Sequence, residues 1–132
     1  MSQENVEIVR RAVTAVNQRD IDGYLACCTD DVQLITPLAD VTGAYDGREG
    51  IRRFFTDITD TGPDFKLTVE RLETAGRDRV LAFMRVTATG RGSGIPQARS
   101  TGNVYDLVEG KIRRIQIFTD PGQALEAAGL RG

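Results

Sequence analysis

The chain has 132 residues, of which 40% are hydrophobic and 27% charged, and its formal net charge is −2. This composition is typical of a folded globular domain, and the length predicts a single domain over residues 1–132. No apolar run approaches the roughly 18 residues of a membrane span, and the N-terminus lacks an apolar signal core. We therefore expect a cytoplasmic protein with no membrane partner.

The residue types that are present narrow the chemistry. The chain contains no histidine, which excludes Ser-His and Cys-His nucleophile pairs and any His-ligated metal site. Its two cysteines, Cys27 and Cys28, are neighbours in sequence and cannot make a disulfide framework. We expect no metal and no cofactor, so any chemistry must come from carboxylates, tyrosines, arginines and amides.

Basic residues are concentrated in the stretch 66–114. They are spaced along apparent strands and are not interleaved with aromatic residues, as they would be on a surface that binds single-stranded nucleic acid. We interpret this stretch as a solvated sheet face and expect no nucleic-acid partner.

The first third of the chain predicts two helices and a strand. Valines recur along the first helix at helical spacing: Val6, Val9, Val13 and Val16. This helix should end near Arg19, and Asp22 can cap a short second helix that carries Tyr24 and Cys28. The run Val32–Thr36 then predicts a strand, which Pro37 stops.

A third helix is predicted after a segment from residue 37 to residue 47, which is interpreted either as loop throughout or as a loop with a short strand near Tyr45. Its apolar stripe consists of Ile51, Phe54, Phe55 and Ile58. The pair Gly62-Pro63 ends this helix.

Long strands and a last helix complete the prediction. The strands are Phe65–Thr74, Arg79–Arg91, Pro96–Glu109 and Lys111–Thr119. Their short connections predict antiparallel pairing, and the glycine-rich Gly90–Gly94 is interpreted as a hairpin loop and not as a phosphate-binding loop. Asp120-Pro121 begins the last helix. Helices followed by a long, curled sheet predict an α+β fold, with a pocket between the sheet and the N-terminal helices.

This order of elements resembles the nuclear transport factor 2-like superfamily, and within it the SnoaL-like group related to polyketide cyclases and ketosteroid isomerases. The resemblance is carried by the stretches ENVEIVRRAVTAVNQRDIDGYLACCTDDVQL, GREGIRRFF, NVYDLVEGKIRRIQIFTD and QALEAAGL. It implies a conical barrel, in which a strongly curved, mostly antiparallel sheet wraps around the N-terminal helices and a short C-terminal helix follows. It also implies a homodimer packed through the outer sheet face.

The resemblance leaves two classes of function open, because the group contains both enzymes and non-catalytic members. The first is a cofactor-independent isomerase, cyclase or hydrolase that acts on a small apolar or polar-apolar molecule. The second is a non-catalytic module, on the same scaffold, that binds a small ligand or another protein.

Asp120 is the first of three catalytic candidates. Strand alternation places it with Phe118 and Gln116, and the resemblance implies an acidic group near the end of this strand, facing the cavity. A carboxylate there would serve as the acid–base group. The alternative is that Asp120, directly before Pro121, caps the last helix.

Arg85 and Asn103 are the other two candidates. Arg85 shares a strand face with Phe83, so it either enters the pocket and pairs with a substrate oxygen or points outward. Asn103 shares a face with Tyr105, and the resemblance implies that related proteins often carry a histidine near this position. An amide cannot act as a general base, but it can donate a hydrogen bond to a carbonyl.

The expected pocket lining and dimer interface follow from the same alternation. The pocket residues are Tyr24, Thr36, Tyr45, Phe54, Phe83, Tyr105, Gln116 and Phe118. The outer, dimer-forming face carries Ala82, Met84, Val86, Val104, Ile115 and Ile117. Thr36-Pro37 stands where the related isomerases carry their base carboxylate, with Asp40 following in a loop, so ketosteroid isomerase activity itself is not expected.

Overall fold

A computed structural model describes residues 2–37, 43–62, 64–89 and 96–130. Within these ranges the helices are α1 (Ser2–Gln18), α2 (Ile21–Ala26), α3 (Gly47–Thr61) and α4 (Pro121–Ala127). The strands are β1 (Cys28–Ile35), β2 (Tyr45–Asp46), β3 (Lys66–Thr74), β4 (Arg79–Thr89), β5 (Pro96–Val108) and β6 (Lys111–Phe118). Asp40, Pro63 and the predicted hairpin loop Gly90–Gly94 lie outside the described residues.

The strands form one six-stranded sheet in the order β2-β1-β6-β5-β4-β3. β1 and β6 are parallel, and all other neighbouring strands in this order are antiparallel. Register shifts interrupt the β3–β4 pair beside Val69 and the β5–β6 pair beside Asp106, and such bulges increase the bend of a sheet. The predicted α+β class and the curved sheet around the N-terminal helices are confirmed, although the sheet is not closed into a full barrel.

The N-terminal helices pack into the concave face of this sheet. Their apolar stripes supply Val9, Ala12, Val16, Ile51 and Phe55, which join one buried cluster with the inward side chains of β4, β5 and β6. The predicted helical stripes are therefore the ones that the fold buries. No helix among the described residues is long and apolar enough to cross a membrane.

Hydrogen bonds from the side chains of Asn17 and Arg19 fix the end of α1 against β3 and the residue before it. The Asn17 amide group donates to the Leu67 carbonyl oxygen at 2.8 Å, and the Leu67 N–H donates to Asn17 Oδ1 at 2.8 Å. The Arg19 guanidinium donates to the Phe65 carbonyl oxygen at 3.0 Å. These bonds hold α1 beside the rim of the cone.

Two local predictions in α2 are corrected. The helix is capped by Asp20, whose carboxylate accepts a hydrogen bond from the Gly23 N–H at 2.9 Å, and not by Asp22. Cys28 does not lie in α2, because the helix ends at Ala26 and Cys28 begins β1. The side chain of Cys28 is buried, and burial raises the pKa of its thiol to about 12.

The faces of β4 and β6 are the reverse of those predicted. Ala82 and Met84 are buried under the helices, and Ile115 joins the same cluster. Phe83 and Phe118 instead pack on the other side of the sheet, against α4. The segment 80–86 reads VLAFMRV, with apolar residues at both parities, so alternation alone does not identify its inner face.

The reversal also removes the predicted dimer interface. Ala82, Met84 and Ile115 lie in the core, and Val86 and Ile117 face the interior of the cone. Val104 does lie on the outer face, but it is covered by Ala124 and Ala128 of α4 and its surroundings. These residues therefore do not form an exposed apolar face.

α4 covers part of the convex face of the sheet, and a glycine makes room for it. A Cβ atom added at Gly102 would lie 2.5 Å from the Cβ of Ala124, a distance that real Cβ contacts essentially never show. Leu81, Val104, Ala124 and Ala128 form the buried cluster beneath the helix.

Candidate functional site

A cavity of about 80 Å³ lies between the concave face of the sheet and the N-terminal helices. Most of its lining is apolar: Ala12, Val13, Val16, Leu34, Phe54, Phe65, Leu67, Val86, Ile115 and Ile117. The polar lining residues are Tyr24, Thr101, Asn103 and Tyr105. Among the described residues that line this inner cavity, none carries a charged side chain.

A wider entrance of about 330 Å³ adjoins the inner cavity. Phe65, Val86, Thr101 and Ile117 line both spaces, and the inner cavity and the entrance together are named the passage. The entrance adds polar groups, among them the exposed Arg99. The apolar body of a small molecule would therefore lie inside, and polar groups would meet it at both ends.

The polar side chains of the inner cavity come mainly from one strand. Thr101, Asn103 and Tyr105 alternate along β5 and pair across the sheet with Met84, Ala82 and Val80, respectively. Their relative exposures are only 6%, 5% and 4%. Alternation therefore brings three hydrogen-bonding groups to one buried face.

Two atoms of this group have no hydrogen-bond partner. Thr101 Oγ1 and Asn103 Oδ1 are buried and unpartnered among the described residues. The Asn103 side chain does hydrogen-bond the Tyr105 hydroxyl, and this bond favours the ionised form of the tyrosine, as a donated amide N–H would. A buried polar atom without a partner costs about 1–3 kcal/mol, so these two atoms indicate a place for a bound polar group.

Burial keeps the two tyrosines of the cavity neutral. Desolvation raises the pKa of Tyr24 well above its ordinary value, and the nearby Tyr105 raises it further. Desolvation also raises the pKa of Tyr105, against the opposing effect of its hydrogen bond with Asn103. Both hydroxyls are therefore proton donors for hydrogen bonds and not bases at neutral pH.

Aromatic contacts support the wall of the cavity from α3. The ring of Tyr24 meets Phe55 edge-on at 5.4 Å, and Phe54 meets Phe55 at 5.8 Å. Tyr45 packs behind Phe54 at 5.5 Å and donates a hydrogen bond from its hydroxyl to Asp57 Oδ2 at 2.5 Å. Burial and the Asp57 carboxylate raise the pKa of Tyr45 to about 12. Tyr45, predicted to line the pocket, backs the lining residue Phe54 instead.

The structure brings together four of the predicted residues and separates the others. Tyr24, Phe54, Asn103 and Tyr105 line the inner cavity. Thr36, Gln116 and Phe118 do not line the inner cavity; they line a depression of about 340 Å³ beside the start of α4, which borders the entrance at Pro37, Ile117 and Thr119. Arg85 is exposed on the outer face, and Phe83 lies under the guanidinium group of Arg71, whose carbon is 4.5 Å from the ring centre.

Asp120 caps the last helix, as the second of its two interpretations predicts. It is exposed, and its carboxylate accepts a hydrogen bond from the Gly122 N–H at 2.9 Å at the beginning of α4. It is not among the described residues that line the inner cavity or the entrance. This position accounts for Asp120 as a helix cap and does not support its use as the acid–base group.

Sequence reasoning missed Thr101 and the contribution of α1 to the cavity. Thr101 precedes Asn103 by two residues on the same strand, so the alternation that identified Asn103 and Tyr105 also predicts its position. The contribution of Val13 and Val16 carries no signal of its own, because lining and core residues of a helix share one stripe. No group of three or more metal-ligating side chains occurs in the part of the chain that the structure describes.

Comparisons with known proteins agree with this architecture. No match is found among curated proteins. Among solved structures, TerC, co-crystallised with polyporic acid, is 21% identical over 96% of this chain and 98% of its own, with a TM-score of 0.78. A protein from Jannaschia sp. CCS1, described as a putative SnoaL-like polyketide cyclase, is 21% identical over 99% of this chain and 95% of its own, with a TM-score of 0.78.

A hypothetical protein from Catenulispora acidiphila DSM 44928 has a ketosteroid isomerase-like fold and was crystallised with trimethylamine. It is 18% identical over 95% of this chain and 94% of its own, with a TM-score of 0.76. These likenesses show the fold. The family model of the SnoaL-like domain matches residues 9–115. The chain therefore belongs to the SnoaL-like domain family.

Proposed function

We propose that this protein binds a small, mainly apolar molecule inside the cone. The observation that carries the proposal is the passage itself, which is apolar along its walls and has hydrogen-bonding groups gathered on one buried strand. Small-molecule sites have this composition, in which a few placed polar groups orient an apolar body. The ligands of TerC and of the Catenulispora protein, polyporic acid and trimethylamine, support a small-molecule role for the fold.

A pocket-blocking variant tests the proposal. Val86 lines both the inner cavity and the entrance, so the larger side chain of Val86→Phe should occupy space where the two adjoin. The adjacent Thr87 has the opposite strand parity, and Thr87→Phe is the matched control. We expect 2-naphthol to bind saturably to the native chain and to the control, by fluorescence titration, and to lose binding in Val86→Phe. Equal binding by all three proteins would contradict the assignment of the site.

A catalytic role at the same site is our second proposal. It is favoured by the neutral Tyr105 hydroxyl, which Asn103 hydrogen-bonds and which faces an apolar cavity, because a neutral donor there is suited to polarising a carbonyl oxygen. The reaction would be an isomerisation, cyclisation or hydrolysis without a cofactor, and it needs a proton carrier. Among the described lining residues none titrates near neutral pH, which is why binding stands first.

The proposed acid–base role of Asp120 can be separated from its cap. Asparagine caps helices about as well as aspartate, so Asp120→Asn keeps the cap and removes the acid, whereas Asp120→Ala removes both. We expect Asp120→Asn to retain stability and Asp120→Ala to lose about 0.5–2 kcal/mol of unfolding free energy, by urea titration. The catalytic role predicts that Asp120→Asn slows α-proton exchange of 2-tetralone in D₂O, followed by NMR. An exchange rate at the buffer level with the native chain would contradict it.

The homodimer and the cytoplasmic location predicted from the sequence stay proposals. The outer face near β1 and β6 carries charges of both signs, including Asp31, Asp106, Arg113 and Arg114, and a two-fold contact can pair such a surface with itself. Light scattering should then give twice the mass of one chain, and the mass of a single chain would contradict the dimer. Cell fractionation tests the location.

A further inference from the structure

The unpartnered atoms in the inner cavity define what kind of group should meet them. Thr101 and Asn103 lie two residues apart on β5, so their side chains leave the same face of the strand. Both residues are more than nine-tenths buried and line the cavity. Neither Thr101 Oγ1 nor Asn103 Oδ1 has a hydrogen-bond partner among the described residues.

The chemistry of Asn103 Oδ1 sets the direction of the missing hydrogen bond. An amide oxygen can only accept, and because Asn103 Oδ1 has no partner, the hydrogen bond between Asn103 and the Tyr105 hydroxyl must come from the amide nitrogen. The missing partner must therefore donate a hydrogen. A ketone, an ether or a carboxylate cannot do so, whereas a hydroxyl or an N–H group can. Thr101 Oγ1 can both accept and donate, so it can serve the oxygen of the same hydroxyl.

The surroundings decide the charge of that group. No charged side chain is found among the described residues of the inner lining, and the remaining lining is aliphatic and aromatic. An ion in such surroundings loses its hydration without gaining a counter-charge. The donor should therefore be neutral.

We propose that the molecule bound in the cone carries a neutral hydroxyl or N–H group at its inner end, which donates to Asn103 Oδ1 and meets Thr101 Oγ1. Its body is apolar and extends past Phe65 and Val86 into the entrance. This inference rests on the proposed binding function and deepens it. The competing occupant of the two atoms is a buried water molecule, which polar cavities of this kind often hold.

The test compares probes that differ only in a hydroxyl and a methyl group. The pairs are phenol with toluene, for the inner cavity alone, and 2-naphthol with 2-methylnaphthalene, for the inner cavity and the entrance. Dissociation constants are measured at pH 7 for the native chain, Thr101→Val and Asn103→Leu. Thr68→Val is the matched control, because Thr68 is exposed and pairs with the outward Arg85 on β4. The cost of removing water from a probe is the same for every protein. The result is therefore the change, from the native chain to each variant, in the ratio of the dissociation constants of the methyl and hydroxyl probes.

We expect the preference for the hydroxyl member to fall about ten-fold in Thr101→Val and in Asn103→Leu, in line with the loss of one buried hydrogen bond. Thr68→Val should leave the ratio unchanged. Circular dichroism shows whether each variant folds. If Asn103→Leu does not fold, Thr101→Val, which is nearly isosteric, still tests the inference.

Two other results would overturn the inference, in distinguishable ways. An unchanged ratio in Thr101→Val, with both members of a pair still bound, would mean that water or nothing serves the two atoms, and the binding function would stand. Absence of saturable binding of all four probes to the native chain and to Thr68→Val would overturn the binding function together with the inference.

Discussion

Tyr24 and Tyr105 reach the cavity from different elements, α2 and β5, and burial acts on both hydroxyls in the same direction. Tyr45, outside the cavity, is shifted in the same direction by burial and by Asp57. The chain has three tyrosines and no tryptophan, so every phenol in the protein has a raised pKa. Two of these three tyrosines line the cavity, so the tyrosine absorbance of the folded protein reports in large part on the site.

We predict a delayed alkaline titration of the folded protein. In the unfolded chain the tyrosines ionise near pH 10, whereas in the fold their pKa values lie higher, at about 12 for Tyr45. Their contribution to stability is fully present below pH 10 and is lost as the pH rises toward the folded values. Absorbance at 295 nm should show little tyrosinate at pH 10.5 in the native protein. The same protein in 6 M guanidinium is the control, and coincident curves would contradict the prediction.

The two phenylalanines of α3 should differ in their effect on stability. Phe55 is 2% exposed in the core, whereas Phe54 is only partly buried and lines the cavity. We expect Phe55→Ala to cost about 3–5 kcal/mol and Phe54→Ala about 1–3 kcal/mol, because a side chain beside an existing cavity loses fewer contacts. Urea unfolding measures both. Equal losses would show that Phe54 is packed as tightly as Phe55.

At the scale of single elements, the position of α4 on the sheet depends on the absence of a Cβ atom at Gly102. Gly102→Ala should displace the helix and lose stability, since its Cβ would lie 2.5 Å from that of Ala124. We expect Ala124→Gly to cost about 1 kcal/mol alone, through helix propensity, and to restore part of the stability when combined with Gly102→Ala. Thermal unfolding of the four proteins gives the coupling energy. Additive losses would contradict the contact.

The element patterns also show how far the sequence could predict the structure. The stripes of α1 and α3 have a single apolar face, and the fold buries that face. On β5 the polar Asn103 and the aromatic Tyr105 share one parity, and both line the cavity. β4 is apolar at both parities because one face meets the helices and the other meets α4. The prediction failed there, since it did not include the cover that α4 provides.

Asp120 shows the same limit at the candidate site. The prediction grouped Asp120 with Phe118, but β6 ends at Phe118 and the Phe118 face of β6 is the convex one. Which face is concave depends on the curvature of the whole sheet, to which bulges between distant strands contribute. A residue pattern within one strand cannot supply this information. The sequence could therefore predict that β5 lines the cavity, but not which face of β6 does.

Across the whole molecule, the open sheet leaves one long edge at β3, and α1 closes part of it. The Asn17 side-chain amide hydrogen-bonds both the N–H and the C=O of Leu67, and Arg19 hydrogen-bonds the C=O of Phe65. These are the backbone groups that a strand from another molecule would need in order to extend the sheet. Asn17 thus acts against self-association by strand addition, in addition to its role in holding α1. We expect Asn17→Leu to aggregate faster during mild heating than Gln18→Leu, which changes the exposed neighbouring residue. Light scattering and thioflavin fluorescence follow the aggregation at equal concentrations of folded protein. Equal rates for the two variants would mean that the edge is protected by other means.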